Sequence, residues 1–168
     1  LYAANELETI GDVAWLEEPL DRRNYDGLAR LREKTDVPIA GGEFNNGIFH
    51  FRELIEHGSL DVLQPDAVLA TGILGGKTVA DMAKTHGLAF APHTWNDGLG
   101  FAANLHLLAS THAEWCEFPI EPPGWTPKER DFVLESPIET NDGTVTPPDD
   151  PGLGVEVDWD TVYELARE

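Results

Sequence analysis

Four carboxylates and one imidazole recur at a regular spacing along the chain. They are Glu17, Glu43, Asp66, His93 and Glu117, and 23 to 27 residues separate each from the next. If these side chains converge, a cation or protons must neutralise part of their charge, because burying unpaired carboxylates is costly. Carboxylate oxygens suit Mg²⁺, and an Asp that orients one imidazole nitrogen raises the basicity of the other. Such groups could remove a proton next to a substrate carboxylate and stabilise the resulting enediolate.

The same residues have structural interpretations that the sequence leaves open. Glu17 and Glu43 could be salt-bridge formers at a barrel rim, and His93 could be a hydrogen-bonded surface histidine. Trp95 is a candidate for substrate binding and equally a candidate for packing. The joint occurrence of the acids and the histidine at one spacing favours the functional interpretation.

Each of the five side chains ends a short run rich in β-branched or aromatic residues. The predicted strands are 13–17, 37–43, 61–66, 88–93 and 113–117. The predicted helices between and after them are 25–34, 49–57, 76–86 and 102–110. Alternating strands and helices predict an α/β fold with a parallel sheet, and polar residues at regularly spaced strand ends are typical of a (β/α)₈ TIM-like barrel. A doubly wound open sheet is the alternative, but no Gly-x-Gly-x-x-Gly turn follows any of these strands.

The chain divides by composition into two predicted parts. Residues 1–118 are expected to be the C-terminal part of a barrel, with about five βα units, because five strands do not close a ring of eight. Residues 1–10 then read as the end of a preceding helix. Residues 119–168 are expected to be an extension of turns, short strands at 144–146 and 155–157, and a terminal helix over 158–168. We expect this extension to pack on an N-terminal capping domain that the chain lacks.

The charge balance excludes several classes of partner. The chain has 31 Asp and Glu against 11 Lys and Arg, a net charge of −20, which disfavours nucleic acid and anionic membranes. No apolar run approaches the roughly 20 residues of a membrane span, and the first residues do not form a secretory signal. The single cysteine, Cys116, favours the cytoplasm. The acidic, lysine-poor composition suggests a salt-rich, halophilic cytosol, with an ordinary acidic protein as the alternative.

Several short motifs together resemble a known family. They are WLEEPL at 15–20, GGE at 41–43, QPD at 64–66, APHT at 91–94 and PPDDPGLGV at 147–155. Each is common alone, but the ordered set resembles the enolase superfamily, specifically its mandelate racemase branch. The resemblance covers essentially the whole chain and only the C-terminal half of a family member.

The resemblance implies roles for the five residues. Glu17 and Glu43 match the second and third Mg²⁺ ligands, His93 the general acid/base, Asp66 its dyad partner, and Glu117 the acid that hydrogen-bonds the enediolate oxygen. The first ligand, an Asp, and a second base, usually a lysine, would lie upstream of this chain. A His–Asp dyad in place of a lysine on the following strand end favours the racemase and acid-sugar dehydratase branch.

We therefore expect a Mg²⁺-dependent lyase that dehydrates a sugar acid, an aldonate or aldarate. The alternatives are a racemase or epimerase of a 2-hydroxy acid, and a non-catalytic fragment or half-barrel subunit that needs its N-terminal half. We expect the 168-residue chain alone to be inactive. The expected partners are a small carboxylate substrate and further copies in a homo-oligomer, with no nucleic acid and no membrane.

Overall fold

The computed structural model describes residues 1–167, which form seven helices and four strands. The strands are β1 Leu16–Glu17, β2 Ile39–Gly41, β3 Val62–Leu63 and β4 Ala89–Phe90. The helices are α1 Tyr2–Ile10, α2 Tyr25–Arg32, α3 Ile48–Glu56, α4 Gly72–Thr85, α5 Gly98–Ala109, α6 Pro127–Arg130 and α7 Trp159–Leu165. The longest helix has 14 residues, and among the described residues no helix has the length and hydropathy needed to cross a membrane.

The four strands form one parallel sheet in chain order, β1-β2-β3-β4. Gly41 pairs with Leu63, and Leu63 pairs with Phe90, so the C-terminal ends of β2, β3 and β4 are level. A helix follows each strand, and after β1, β2 and β3 it returns the chain to the start of the next strand, as parallel pairing requires. The predicted α/β class with a parallel sheet is confirmed.

The two faces of the sheet differ in what covers them. On the helix side, Ile39, Phe51, Leu54, Leu63 and Val79 are at most 1% exposed and form the centre of the larger core. The other face carries a smaller cluster of three buried residues with Trp15 packed against them, namely Ala40, Val62 and Ala91. Burial of the helix-side cluster fixes the strand register, because a shift by one residue would move each apolar side chain to the other face.

The helix ends were predicted well and the helix starts less well. His57 and His86 are C-cap residues, and the following Gly58 and Gly87 have φ of 63° and 68°, as the His-Gly pairs predict. Helix α4 begins at Gly72 instead of residue 76, and α5 at Gly98 instead of 102. The first turns of both helices are rich in glycine, which has low helix propensity. The prediction, which depended on the spacing of apolar residues, therefore started each helix too late.

The predicted strand at 113–117 is wrong. This segment forms no strand, so the described residues contain four βα units instead of about five. The backbone N–H of Thr94, just beyond β4, is bonded to the carboxylate of Glu117 at 2.8 Å, and the Thr94 hydroxyl donates to the Glu117 carbonyl. Side-chain bonds therefore take the place of a backbone ladder at this edge.

The short strands predicted in the extension are also wrong. Residues 144–146 and 155–157 form only isolated bridges, Asn141 with Thr144 and Leu134 with Val157. The turn at 141–144 closes on itself through two backbone hydrogen bonds, which leaves no length for a ladder. The terminal helix is present as α7, while Glu168 of the predicted range lies outside the described residues.

The extension packs on α5 through a second hydrophobic core. Phe101 and Leu105 of α5 are at most 1% exposed and lie against Leu134 and Ile138. The boundary between residues 118 and 119, and the contact with a capping domain, stay predictions.

Candidate active site

Parallel pairing brings the predicted residues to one edge of the sheet. Glu17 is the last residue of β1, and Glu43 lies two residues beyond β2. Asp66 and His93 each lie three residues beyond their strands, β3 and β4. Because the ends of β2, β3 and β4 are level, the side chains that follow them share the C-terminal edge, where barrel enzymes carry their chemistry.

Gly42 allows the backbone to turn toward the site at Glu43. Its φ is 123°, a conformation that side-chain-bearing residues rarely adopt, and a Cβ there would lie 2.7 Å from the Phe51 ring. Glycine is therefore required between the end of β2 and Glu43. The backbone N–H of Gly42 donates to Glu18 Oε1 at 2.9 Å, and burial raises the pKa of Glu18.

His93 lies between two carboxylates and is 6% exposed. Its Nδ1 is 2.8 Å from Asp66 Oδ2, and its Nε2 is 2.9 Å from Glu43 Oε2. Carboxylates only accept hydrogen bonds, so both ring nitrogens must carry protons in this arrangement. The structure thus brings together three of the five predicted residues, with the imidazolium balancing part of their charge.

Asp66 is fully buried and accepts hydrogen bonds on both oxygens. Oδ1 accepts from the backbone N–H groups of Val68 and Leu69 at 2.6 and 3.0 Å. Oδ2 accepts from Asn96 Nδ2 at 2.7 Å as well as from His93. These donors stabilise the ionised form and fix the carboxylate in place.

Burial and hydrogen bonding act in opposite directions on the pKa values of the dyad. Burial favours neutral Asp66, but the bonds from His93, Asn96 and the backbone outweigh it and lower the pKa to about 2. Burial likewise favours neutral His93, yet the bonds to Asp66 and Glu43, with the charges of Glu43 and Glu117, raise its pKa to about 10. In this arrangement the dyad is an ion pair at neutral pH.

Glu117 reaches the site through Thr94, the neighbour of His93. Its Oε2 accepts from the Thr94 backbone N–H at 2.8 Å, and Thr94 is fully buried. Burial raises the pKa of the Glu117 carboxyl, although its hydrogen bonds and the charge of His93 act against that. A carboxyl group with a raised pKa suits donation of a hydrogen bond to a developing oxyanion.

The hydrogen-bond partners of Glu17 lie outside the Asp66–His93 dyad. Its Oε2 accepts from Gln64 Nε2 at 2.6 Å and from Trp15 Nε1 at 3.1 Å. Gln64 lies two residues before Asp66 and is 2% exposed. Both hydrogen bonds end on the same oxygen of the carboxylate.

The oxygen atoms at this edge of the sheet are of the kind that binds a magnesium ion. Glu17 and Glu43 supply carboxylate oxygens at the same edge of the sheet, and Mg²⁺ is bound by one or two carboxylates with water. The buried Gln64 Oε1 beside Glu17 has no hydrogen-bond partner in the described part of the chain, as expected of a polar group that faces a ligand site. Within residues 1–167, no group of three or more His, Cys, Asp or Glu side chains could hold a metal by itself.

Some residues of the site were predicted and others were missed. Trp95, 46% exposed, follows His93 in the loop after β4, and its role in substrate binding stays a prediction. Asn104 was missed because it lies on α5, 38 residues from Asp66 in sequence. It is fully buried, donates to Asp66 Oδ1 at 3.3 Å and accepts from the Ala67 backbone N–H at 2.8 Å. An amide side chain on a largely apolar helix was its sequence signal.

Comparison with known proteins gives related sequences along nearly the whole chain. A family model described as "Enolase C-terminal domain-like" matches residues 1–161. The D-galactarolactone cycloisomerase of Agrobacterium fabrum is 34% identical over 98% of this chain and 46% of its own length. The arabinonate dehydratase of Saccharolobus solfataricus is 32% identical over 98% of this chain and 42% of its own length. The chain thus spans less than half the length of each relative.

A solved structure shares the fold. The 3,6-anhydro-D-galactonate cycloisomerase from Zobellia galactanivorans superposes with a TM-score of 0.84 at 34% identity, over 96% of this chain and 44% of its own. That coverage agrees with the C-terminal half of a barrel, as the sequence predicts. The chain belongs to the enolase superfamily, as a C-terminal domain of the mandelate racemase and muconate lactonizing enzyme type.

Proposed function

We propose that this chain is the C-terminal part of a longer polypeptide, here called the parent polypeptide, that dehydrates a sugar acid with the help of Mg²⁺. The observation that carries the proposal is the buried hydrogen bond of 2.8 Å between His93 Nδ1 and Asp66 Oδ2. It holds an imidazole at the edge of the sheet with its second nitrogen directed away from Asp66. The named activities of the relatives, which include an arabinonate dehydratase, support the substrate class.

In the proposed reaction the C2 proton of the sugar acid passes to a base in the upstream part of the parent polypeptide. The C3–O bond then breaks, His93 gives its Nε2 proton to the departing hydroxyl, and water leaves. Asp66 holds the ring during this transfer. The Glu117 carboxyl donates a hydrogen bond to the enediolate oxygen.

Glu17 and Glu43 are the residues of this chain that would hold Mg²⁺. When bound, the ion supplies positive charge against the negative charge that develops on the substrate carboxylate. Glu43 would then face both the ion and His93, because its Oε2 is 2.9 Å from His93 Nε2.

The second candidate function is cycloisomerisation of a cyclic sugar-acid derivative. Two of the relatives reported above carry that name, one for D-galactarolactone and one for 3,6-anhydro-D-galactonate. The chemistry needs the same parts, because a ring oxygen can leave in place of a hydroxyl after the C2 proton is lost. A racemase, in which His93 exchanges the C2 proton, is the third possibility.

One experiment separates these functions. The purified parent polypeptide is incubated with Mg²⁺ and a panel of aldonates, aldarates and their lactones, and the products are analysed by mass spectrometry and with a carbonyl reagent. We expect a product that has lost one water and gained a keto group. A keto product of unchanged mass would indicate cycloisomerisation, and C2 proton exchange without a carbonyl would indicate racemisation.

The 168-residue chain alone is proposed to be inactive, because this domain supplies two of the carboxylates for the ion and neither the upstream base nor a cap. Turnover by the isolated chain would contradict this. We place the activity in the cytoplasm and expect a homo-oligomer. The lone cysteine supports the location, since disulfides are typical of exported proteins.

A further inference from the structure

Gln64 is the only glutamine in the chain, and it lies between two groups of the site. It follows β3 directly, is 2% exposed, and precedes Asp66 by two residues. Its Nε2 donates to Glu17 Oε2 at 2.6 Å, across 47 residues of sequence. Burying an amide is costly unless its polar atoms are hydrogen-bonded, and here only the nitrogen has a partner among the described residues.

The orientation of this amide follows from the chemistry of its partner. An ionised carboxylate only accepts hydrogen bonds, so the nitrogen of the amide must face Glu17. The amide oxygen is then left buried, and Gln64 Oε1 has no hydrogen-bond partner among residues 1–167. The side chain therefore combines a donor that holds Glu17 with an acceptor available to a ligand.

The two donors to Glu17 act on the same atom. Gln64 Nε2 and Trp15 Nε1 both bond to Oε2, which directs one carboxylate oxygen to the protein and leaves Oε1 for coordination. Hydrogen bonds from a second layer of residues commonly orient metal ligands in this way.

We infer that Gln64 is a positioning residue that fixes the carboxylate of Glu17 for binding of a divalent cation and offers Oε1 to a hydroxyl or water held at that ion. This inference rests on the proposed function, in which Glu17 is a Mg²⁺ ligand. It assigns to the first residue of the Gln-Pro-Asp motif a role of its own, separate from that of the Asp66–His93 dyad.

The test is the affinity of the metal-free parent polypeptide for Mg²⁺, measured by titration calorimetry, with Mn²⁺ and electron paramagnetic resonance as a second readout. Gln64→Met keeps the volume of the side chain and removes both hydrogen-bonding atoms. We expect it to weaken metal binding 10- to 100-fold, the usual effect of losing such a partner. The thermal midpoint of the metal-free protein should fall no further than in the control.

The matched control is Leu63→Met, a volume-conserving change at the adjacent buried position, which packs in the helix-side core. It should leave the metal affinity unchanged. Equal weakening by both variants, or no weakening by Gln64→Met, would overturn the inference while leaving the proposed function intact. If the unaltered protein binds no Mg²⁺, the proposed function fails and the inference fails with it.

A second variant covers the case in which Gln64→Met does not fold. Trp15→Phe removes the other donor to Glu17 Oε2 and keeps an aromatic ring. We expect a several-fold loss of metal affinity, smaller than for Gln64 because the bond is longer. Unchanged affinity in a folded Trp15→Phe protein would then overturn the premise that donors to Oε2 orient Glu17 for the ion, and the inference with it.

Discussion

Two clusters of charged residues contact α5, one through Asn104 and the other through Phe101, and they are built differently. The site cluster holds the imidazole of His93 between the carboxylates of Asp66 and Glu43, with Glu17 and Glu117 at the same edge of the sheet, and these residues are 23 or more positions apart in sequence. The second cluster, in the extension, pairs Arg130 with Asp131 through two bonds of 2.6 Å, and both residues are at most 2% exposed. The Arg130 guanidinium is also 4.2 and 4.6 Å from the ring centroids of Phe101 and Phe118.

The second cluster pairs one cation with one anion, and its hydrogen bonds are local, although Arg130 Nη1 is buried without a hydrogen-bond partner in the described part of the chain. Asp131 Oδ2 also accepts from the Ile138 backbone N–H at 2.6 Å, and Arg130 Nη2 donates to the Ile138 carbonyl. Every hydrogen-bond partner lies within eight residues of Arg130, so these bonds hold one turn of the extension in place. The site cluster has an excess of negative charge within the described residues. Matched charge indicates a structural role here, and unmatched charge indicates a place for a cation and a substrate.

The largest expected effect is on the site cluster. His93→Asn in the parent polypeptide removes the proposed acid, and the elimination rate should fall by about 10²–10⁴. Exchange of the C2 proton with deuterated solvent should persist, because the upstream base performs that step. Keto product and deuterium incorporation are measured on the same samples.

Asp66→Asn is the companion variant for this prediction. It keeps the shape of the side chain but changes the hydrogen bonding of the imidazole, so elimination should again fall strongly. Near-parental rates in both variants would indicate that His93 is a hydrogen-bonded structural histidine. The site cluster would then have a structural role, as the second cluster does.

The next effect is on the second cluster and concerns stability. Arg130→Met leaves the Asp131 carboxylate buried without its cation, and we expect a loss of about 3–5 kcal/mol in the free energy of unfolding. The measurement is urea unfolding of the parent polypeptide followed by tryptophan fluorescence. Adding Asp131→Leu should restore much of the loss, since an apolar pair can replace a neutral ion pair. A single-variant loss below about 1 kcal/mol would contradict the assigned role.

The thiol of Cys116 is affected by one residue of each cluster, Glu117 and Arg130. Burial and the neighbouring charge of Glu117 raise the pKa of its thiol to about 11, although Arg130 acts in the opposite direction. The thiolate is the reactive form, so alkylation by iodoacetamide at pH 8 should be roughly 10²-fold slower than for a free cysteine with a pKa near 8.5.

The pH dependence of the same alkylation tests the direction of the pKa shift of the Cys116 thiol. The alkylation rate should rise about tenfold per pH unit from pH 8 to pH 10, because the thiolate fraction rises in proportion below the pKa. A plateau near pH 9 would show an ordinary thiol and contradict the burial of Cys116. The protein unfolded in guanidinium is the control and should react at the free-cysteine rate.

The smallest effect concerns the helix shared by both clusters. Asp97 is the N-cap of α5, and its Oδ1 accepts from the Gly100 backbone N–H at 3.0 Å. Asp97→Ala should lower the free energy of unfolding by about 1 kcal/mol. Asp158→Ala, which removes the similar cap of α7, is the control. Because α5 packs under both clusters and α7 has no buried residue, we expect the Asp158 change to cost less in thermal unfolding.

The sequence predicted the parts of the structure that repeat. Glu17, Glu43, Asp66 and His93 end or follow strands at a nearly regular spacing, so their shared edge could be anticipated from the pattern. Contacts that cross between elements carried no such signal. Asn104 reaches Asp66 from the side of a helix, and Gln64, just after β3, reaches Glu17 on β1 past the strand between them. The strand expected at 113–117 failed because Glu117 bonds to Thr94 through its side chain, which periodicity cannot show.

The order of the sheet has a consequence for how the protein is made. Each strand pairs with the strand that precedes it in the chain, from β1 to β4, and the partners lie about one strand–helix unit apart. A unit that leaves the ribosome therefore finds its pairing edge already synthesised, and growth can proceed one unit at a time as translation advances. If synthesis pauses between units, the strand made last has an unpaired edge on the side where the next strand will bind. The exposed edge at each pause is therefore that of a parallel strand.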